Sequence, residues 1–304
     1  MYFINALPGA VAEGLIWGIM AIGVYLSFKI LDIADLTVDG SICTGGCVCV
    51  LLMEKGYNPW LCILFAFVAG ALAGAVTGLL NTVLGIPSIL SGILTQLMLY
   101  SVNLAILEGR SLLAINTFLH VPVVSQKDNI AAIAVLIGII ALIIIILWRF
   151  FYTEIGLTLK STGDNPDMSR AQGVNVDLNK VIGLALSNGI VAISGAFYSQ
   201  YKGSVSINDG RGAIVIGLAA IFIGLSISLK IKPNFVVSLI GVTFGSVVYY
   251  AVYNLVMLLG LNTNYLKMFS ALIVTVFLAV PYIKTRYFTK RKPLPIERGG
   301  DSNA

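Results

Sequence analysis

A chain of 304 residues that is 58% hydrophobic and only 11% charged cannot cover a globule in water, where about 25% charged residues is usual. The mean hydropathy of +0.94 and apolar runs of spanning length make lipid the solvent and exclude a soluble fold. The net charge of +5 is concentrated at the ends of those runs, where it reads as membrane topology rather than nucleic-acid binding.

The first residues, MYFINALPGAVAEG, lack the basic start and small-residue cleavage site of a signal peptide, so the first span is expected to be retained. Apolar runs predict helices near 9–28, 37–53, 59–80, 87–107, 129–151, 179–201, 212–229, 234–258 and 266–284. The fold class is therefore an all-α polytopic membrane protein, a bundle of about eight or nine transmembrane helices. One transmembrane domain is expected over 1–285, with a basic, flexible tail over 286–304. The first span carries Gly14 and Gly18, the third Gly70, Gly74 and Gly78, and the eighth Gly241 and Gly245. Such small-xxx-small spacings let helices approach closely. The sixth span has a similar stripe at Ala185, Gly189, Ala192 and Ala196. Ile130–Trp148 in the fifth is a run of 19 residues without a charge.

The second and fourth spans differ. DLTVDGSICTGG opens the second with acids and glycines, and IPSILSGILTQ opens the fourth with Pro, Ser and Gly. Both are expected to be discontinuous helices along a polar path. Asp35, Thr37 and Asp39 either cap the second span in cytoplasmic water or line the pathway. In the fourth span Thr95, Gln96 and Asn103 are pathway candidates, with Thr95 and Asn103 near one helix face. Asn188 and Gln200 of the sixth span are further candidates, with hydrogen bonding between helices as the alternative. GSVSINDGRG, 203–212, is expected to be a polar outer loop where a substrate or its carrier is met. Cys43, Cys47, Cys49 and Cys62 lie in apolar segments and read as packing groups rather than a metal site. His120 stands alone in an outer loop and reads as a surface residue.

Lys and Arg orient the chain. With the C-terminus in the cytoplasm, thirteen of the nineteen basic residues fall inside, which predicts the N-terminus outside. On that side model the long polar connection 153–180 is cytoplasmic. Within it Asn165 can cap a helix that Pro166 begins, Asp167 places charge favourably in the first turn, and Gly173 ends it. A second start at Asn175–Asp177 leads into the sixth span.

TEIGLTLKSTGDNPDMSRAQGVNVDLNK, followed by VIGLALSNGIVAISGAFYSQYKG, resembles the coupling-helix region of the branched-chain amino acid and simple-sugar permeases of ABC importers. Thr153, Gly156, Gly163, Asn165, Gly173 and Asn175 match that family's loop pattern, while Ser161, Ser169 and Val174 depart from its usual Ala, Ala and Ile. DLTVDGS at Asp35–Ser41 is similar to the DLSVGS stretch of the sugar permeases, with Asp39 as an extra acid. The forms GDNP and DLTVDG resemble a tryptophan/tyrosine-type subgroup paired with a lipoprotein binding protein. The resemblance covers about residues 8–283.

The resemblance implies a bacterial cell-membrane permease that works as a dimer, most simply a homodimer. Two ATPase subunits dock inside and a substrate-binding lipoprotein outside. It also implies that Gly163, Asn165, Pro166, Asp167, Ser169, Arg170 and Gly173 form the ATPase-coupling element. The chain has no G-x-x-x-x-G-K-[ST] loop, so ATP and Mg are expected in the partner ATPase, with no cofactor, metal or catalytic residue here. The solute is expected to be an amino acid or an aromatic amino-acid-like compound. The rival reading is an ion-coupled secondary transporter or a channel without an ATPase. Against it, the ionisable groups cluster at span ends.

Overall fold

The computed structural model describes residues 2–115, 121–228 and 234–258, with isolated helical positions between 268 and 279. His120, most of the ninth expected span (266–284) and the tail 286–304 lie outside the described residues.

Ten helices and one short strand pair make up the described chain: α1 Tyr2–Tyr25, α2 Val38–Glu54, α3 Pro59–Thr82, α4 Ser88–Ile106, β1 Leu112–Ala114, α5 Asn129–Phe151, α6 Glu154–Asp164, α7 Pro166–Ala171, α8 Val176–Lys202, β2 Ser204–Ser206, α9 Ala213–Ser228 and α10 Phe235–Leu258. Eight of the nine expected spans are present as helices. Among the described residues, six helices are long and apolar enough to cross a membrane. The other two, α2 with 17 residues and α9 with 16, run only about 26 and 24 Å at 1.5 Å per residue, less than the roughly 30 Å hydrocarbon core.

α8 is the hub, packed against α1, α2 and α3. Its small residues and the glycines of α3 explain why. A Cβ at Gly70 would collide with Ala192 and the Asn188 carbonyl, one at Gly74 with the Leu184 carbonyl, and one at Gly78 would lie 2.7 Å from Val181 Cα. With no side chain between them, the two backbones touch along three turns. The Gly14–Gly18 pair does the same for α1 on α10, where a Cβ at Gly14 would sit 2.7 Å from Val247 Cα. On the outside of the bundle, Leu64, Leu72, Ile137, Leu142 and Ile145 are exposed, as lipid-facing positions should be.

α1 ends in a π turn, Leu26–Ile30, followed by Asp32 at φ 55°, a left-handed conformation that Asp tolerates better than most residues. The chain then runs without helix to Thr37, and α2 starts inside the bundle. Ser41 meets Asn188, and the glycines 45 and 46 approach Ala192 and Gly195. α2 thus runs parallel to α8, from mid-bundle to the end where β1 and β2 pair antiparallel (Leu112↔Ser206, Leu113↔Val205, Ala114↔Ser204). The second break falls in a different place from the expected one. α4 is continuous from Ser88 to Ile106, because the Pro87 that argued for a break precedes its first turn. The interrupted partner is α9. After β2 the chain folds back into the bundle, where Gly210 presses on the Asp39 carbonyl, and α9 begins beside the start of α2. The expected outer loop 203–212 is therefore a re-entrant element.

The four cysteines are free and buried. Cys43 and Cys47 are one turn apart with their sulfurs at 3.8 Å, and the Cys43 thiol faces the Ser206 and Ile207 carbonyls, in keeping with packing.

Candidate functional site

Two sets of polar residues stand out from the apolar bundle. The first is the α6–α7 turn between α5 and α8. The Asn165 side chain accepts from the Met168 N–H at 2.9 Å and Pro166 follows as the first helical residue, the arrangement read from the sequence. Asp167 lies in the first turn and pairs with Arg170 at 3.8 Å; Arg170 also reaches Asp177 at 3.5 Å. Gly173 closes the helix at φ 81°, with the Val174 N–H on the Ser169 carbonyl, a turn in which a β-carbon would be strained. The Asn175 side chain then caps α8 by accepting from the Leu178 N–H.

Residues 154–164, expected as part of a polar connection, form a full helix. The Thr153 side chain accepts from the Gly156 N–H at 3.4 Å, and every turn faces a partner. Ser169 is buried, its hydroxyl 3.0 Å from the Asn165 carbonyl and 3.2 Å from the Ser161 hydroxyl, which joins α7 to α6. Asn179 donates to Thr162, which joins α6 to α8. Gly163 lies directly against the Ile30 carbonyl, and Leu159 packs with Leu31, Ile33 and Leu184. The outer surface of the turn, including Asp167, Met168 and Arg170, is exposed. The result is an exposed knob fixed to the segment that leads into α2.

The second set lies where α2, α4 and α9 begin. Asp35 is 2% exposed. Its Oδ1 accepts from the Thr37 N–H at 2.9 Å and its Oδ2 from Asn188 Nδ2 at 2.6 Å. The Asn188 Oδ1 accepts from the Ser41 hydroxyl at 2.6 Å, and the hydroxyls of Thr37 and Thr77 are 2.7 Å apart. Asp35 therefore caps its segment facing a buried amide rather than water, and Asp35, Thr37 and Asn188 bind α2, α3 and α8 together. Asp39 does something the sequence did not disclose. Its Oδ2 accepts from the Gly212 N–H at 2.8 Å and its Oδ1 from the Ile214 N–H at 2.9 Å, so it caps α9 from the neighbouring start of α2.

Beside Asp39 is a cavity of about 410 Å³ lined by Gly40, Cys43, Gln96, Leu97, Tyr100, Asn103, Ile207 and Arg211. Of the residues proposed from sequence, Asp39, Gln96 and Asn103 meet there. Thr95 is buried, with its hydroxyl on the Ser91 carbonyl of its own helix. Gln200 accepts from the Val123 N–H and donates to Cys49, away from the cavity. Tyr100 and Arg211 were missed. Arg211 lies 5.9 Å from the Tyr100 ring centroid, and only the inward fold of 207–212 brings it there. Arg211 also borders a second cavity, about 340 Å³, walled by Trp17, Tyr198, Tyr249, Tyr250 and Tyr253.

Short helices that start inside a bundle, with a polar cavity at their ends, are a form transporters use. Residues 9–280 match the family described as branched-chain amino acid transport system / permease component. The chain belongs to this permease family. It is 34% identical over 275 residues to a tyrosine transport system permease protein of Clostridioides difficile, covering 90% of this chain and 91% of that one. It is 30% identical over 220 residues to the nucleoside ABC transporter permease protein NupC of Lactococcus lactis, covering 68% and 64%. The fructose import permease protein FruF of Bifidobacterium longum is 26% identical over 250 residues, covering 80% and 68%. No solved structure is matched. The chain is thus a multi-pass membrane permease component of an ABC transporter.

Proposed function

We propose that this permease imports a small organic solute, an amino acid or an aromatic amino-acid-like compound, with ATP hydrolysed by a partner chain docked on the α6–α7 knob. The observation that carries the coupling assignment is the contact of Gly163 with the Ile30 carbonyl. A push on the exposed α7 surface passes through α6 to the end of α1 and to Leu31–Thr37. From there it reaches the Asp35–Asn188 lock and the start of α2. The knob residues Gly163, Asn165, Pro166, Asp167, Ser169, Arg170 and Gly173 divide the work. Asn165, Pro166 and Gly173 shape the helix, Ser169 and Gly163 fasten it, and Asp167 and Arg170 face the partner.

In this reading the knob end is cytoplasmic. It carries Lys29, Arg149, Lys160, Arg170 and Lys180, which supports the C-terminus inside and the N-terminus outside. The strand-pair end then meets a substrate-binding protein. Two permease copies would enclose the path, lined on each copy by Asp39, Gln96 and Asn103. An amino acid is favoured as solute by the tyrosine permease likeness over most of both chains.

The test is co-purification of the permease with its partner ATPase, in mild detergent. Wild type should retain the ATPase, and the double variant R170E/G173P should insert normally yet release it. Equal retention by that variant would remove the coupling assignment.

A further inference from the structure

The cavity at the start of α9 has a polarity that narrows what it can hold. Asn103 is 1% exposed, and its Oδ1 accepts no hydrogen bond. Buried polar atoms are nearly always paired, so an orphan acceptor on a cavity wall calls for a donor from the occupant. The same cavity is lined by Arg211, whose planar fork of N–H groups matches a carboxylate. The Asp39 carboxylate, on the lining too, is held by the Gly212 and Ile214 N–H groups. It is a fixed negative charge that cannot swing away.

We propose that this cavity is a zwitterion site within the permease itself, in which Arg211 takes the carboxylate of an α-amino acid and the Asn103 Oδ1 accepts from its ammonium. This rests on the permease reading above and adds specificity-determining residues to it. A bare cation entering the cavity meets the Arg211 guanidinium. A bare anion meets Asp39 and leaves Asn103 unpaired. Only a molecule with both charges a short distance apart satisfies all three groups, and its side chain then lies along Leu97 and Tyr100. The volume, about 410 Å³, falls in the range of small-molecule sites, about 300–1,000 Å³. The permease would thus reject amines and acids that reach it, independently of the binding protein.

The test uses the full permease with its ATPase in nanodiscs and a cysteine reporter on the cavity wall, L97C. Leu97 is exposed and the four native thiols are buried, so maleimide labelling is read as the excess over the parent protein. L-tyrosine and L-leucine should slow that labelling. Tyramine, which lacks the carboxylate, and 3-(4-hydroxyphenyl)propionate, which lacks the ammonium, should need concentrations about ten- to hundredfold higher, the value of a charged hydrogen bond. R211Q should remove the preference for L-tyrosine over tyramine, with R211K intermediate. N103D, which keeps the acceptor and adds charge, should improve protection by tyramine.

Equal protection by tyramine and L-tyrosine, or an R211Q protein that still discriminates, would overturn the site. So would the absence of protection by either amino acid. The labelling does not need the ATPase, so the two readings fail separately. Protection in a preparation that has lost the ATPase keeps the site and counts against coupling. Retained ATPase without protection does the reverse.

Discussion

Gly163 of α6 rests against the carbonyl of Ile30, the last residue of the π turn that ends α1, and a β-carbon there would also come within 2.9 Å of Leu31 Cα. Both neighbours are backbone, so neither can rotate aside. G163A is expected to destabilise by about 1–3 kcal/mol, the usual cost of overpacking, and G163L to push α6 off α1. The surface of α7 is untouched by either change. The ATPase should therefore still co-purify with G163A while substrate-stimulated ATP hydrolysis falls. Unchanged stimulation would show that the contact transmits nothing.

Asp39 holds the first turn of α9 with both carboxylate oxygens. D39A leaves the Gly212 and Ile214 N–H groups without these acceptors, and losing a cap of this kind costs about 0.5–2 kcal/mol. D39N keeps one acceptor and loses the charge that favours a helix N-terminus. Melting points in detergent should therefore fall in the order wild type, D39N, D39A. If D39N melts below D39A, the contact is not acting as a cap.

What could be read from sequence follows the range of the forces involved. Hydropathy and Gly spacing act along one helix, so the spans and the α3 stripe were legible. The caps at Asn165 and Asn175 act within three residues and were legible as well. Helix α6 was missed because EIGLTLKSTGD is only partly apolar and is held by tertiary contacts through Gly156, Leu159 and Gly163. The return of 207–212 into the bundle is fastened by Asp39 through Gly212 and Ile214, 173 and 175 positions away in the chain. No local pattern shows that pairing, and Arg211 stayed hidden with it. Gln200 and Thr95 looked like Asn103 by residue type and depth. Only their partners tell them apart.

The Asp35–Asn188 pair offers a separate measure of buried polar glue. At 2.6 Å it is a short bond to a carboxylate, and Asn188 continues it to Ser41. Alanine at either position strands the other partner, so the single variants D35A and N188A are each expected to lose about 1–3 kcal/mol. The double variant should lose clearly less than the sum, with an interaction energy of about 0.5–3 kcal/mol. Additive losses in a double-mutant cycle of detergent unfolding would show the two side chains to be independent.

Arg170 provides the sharpest separation of fold from function. Its bridges to Asp167 and Asp177, at 3.8 and 3.5 Å, involve side chains more than half exposed, and exposed pairs of this kind contribute about 0–1 kcal/mol. R170A should therefore melt within about 0.5 kcal/mol of wild type, as surface changes usually do. N165A is the contrasting control, because it loses a cap worth about 1 kcal/mol. If Arg170 faces the ATPase, R170A alone should weaken retention of that partner. The difference from wild type should shrink as salt rises and screens the guanidinium. A destabilised R170A protein with normal ATPase retention would make Arg170 a strut of the knob, and the docking contact would then have to lie with Asp167 and Met168.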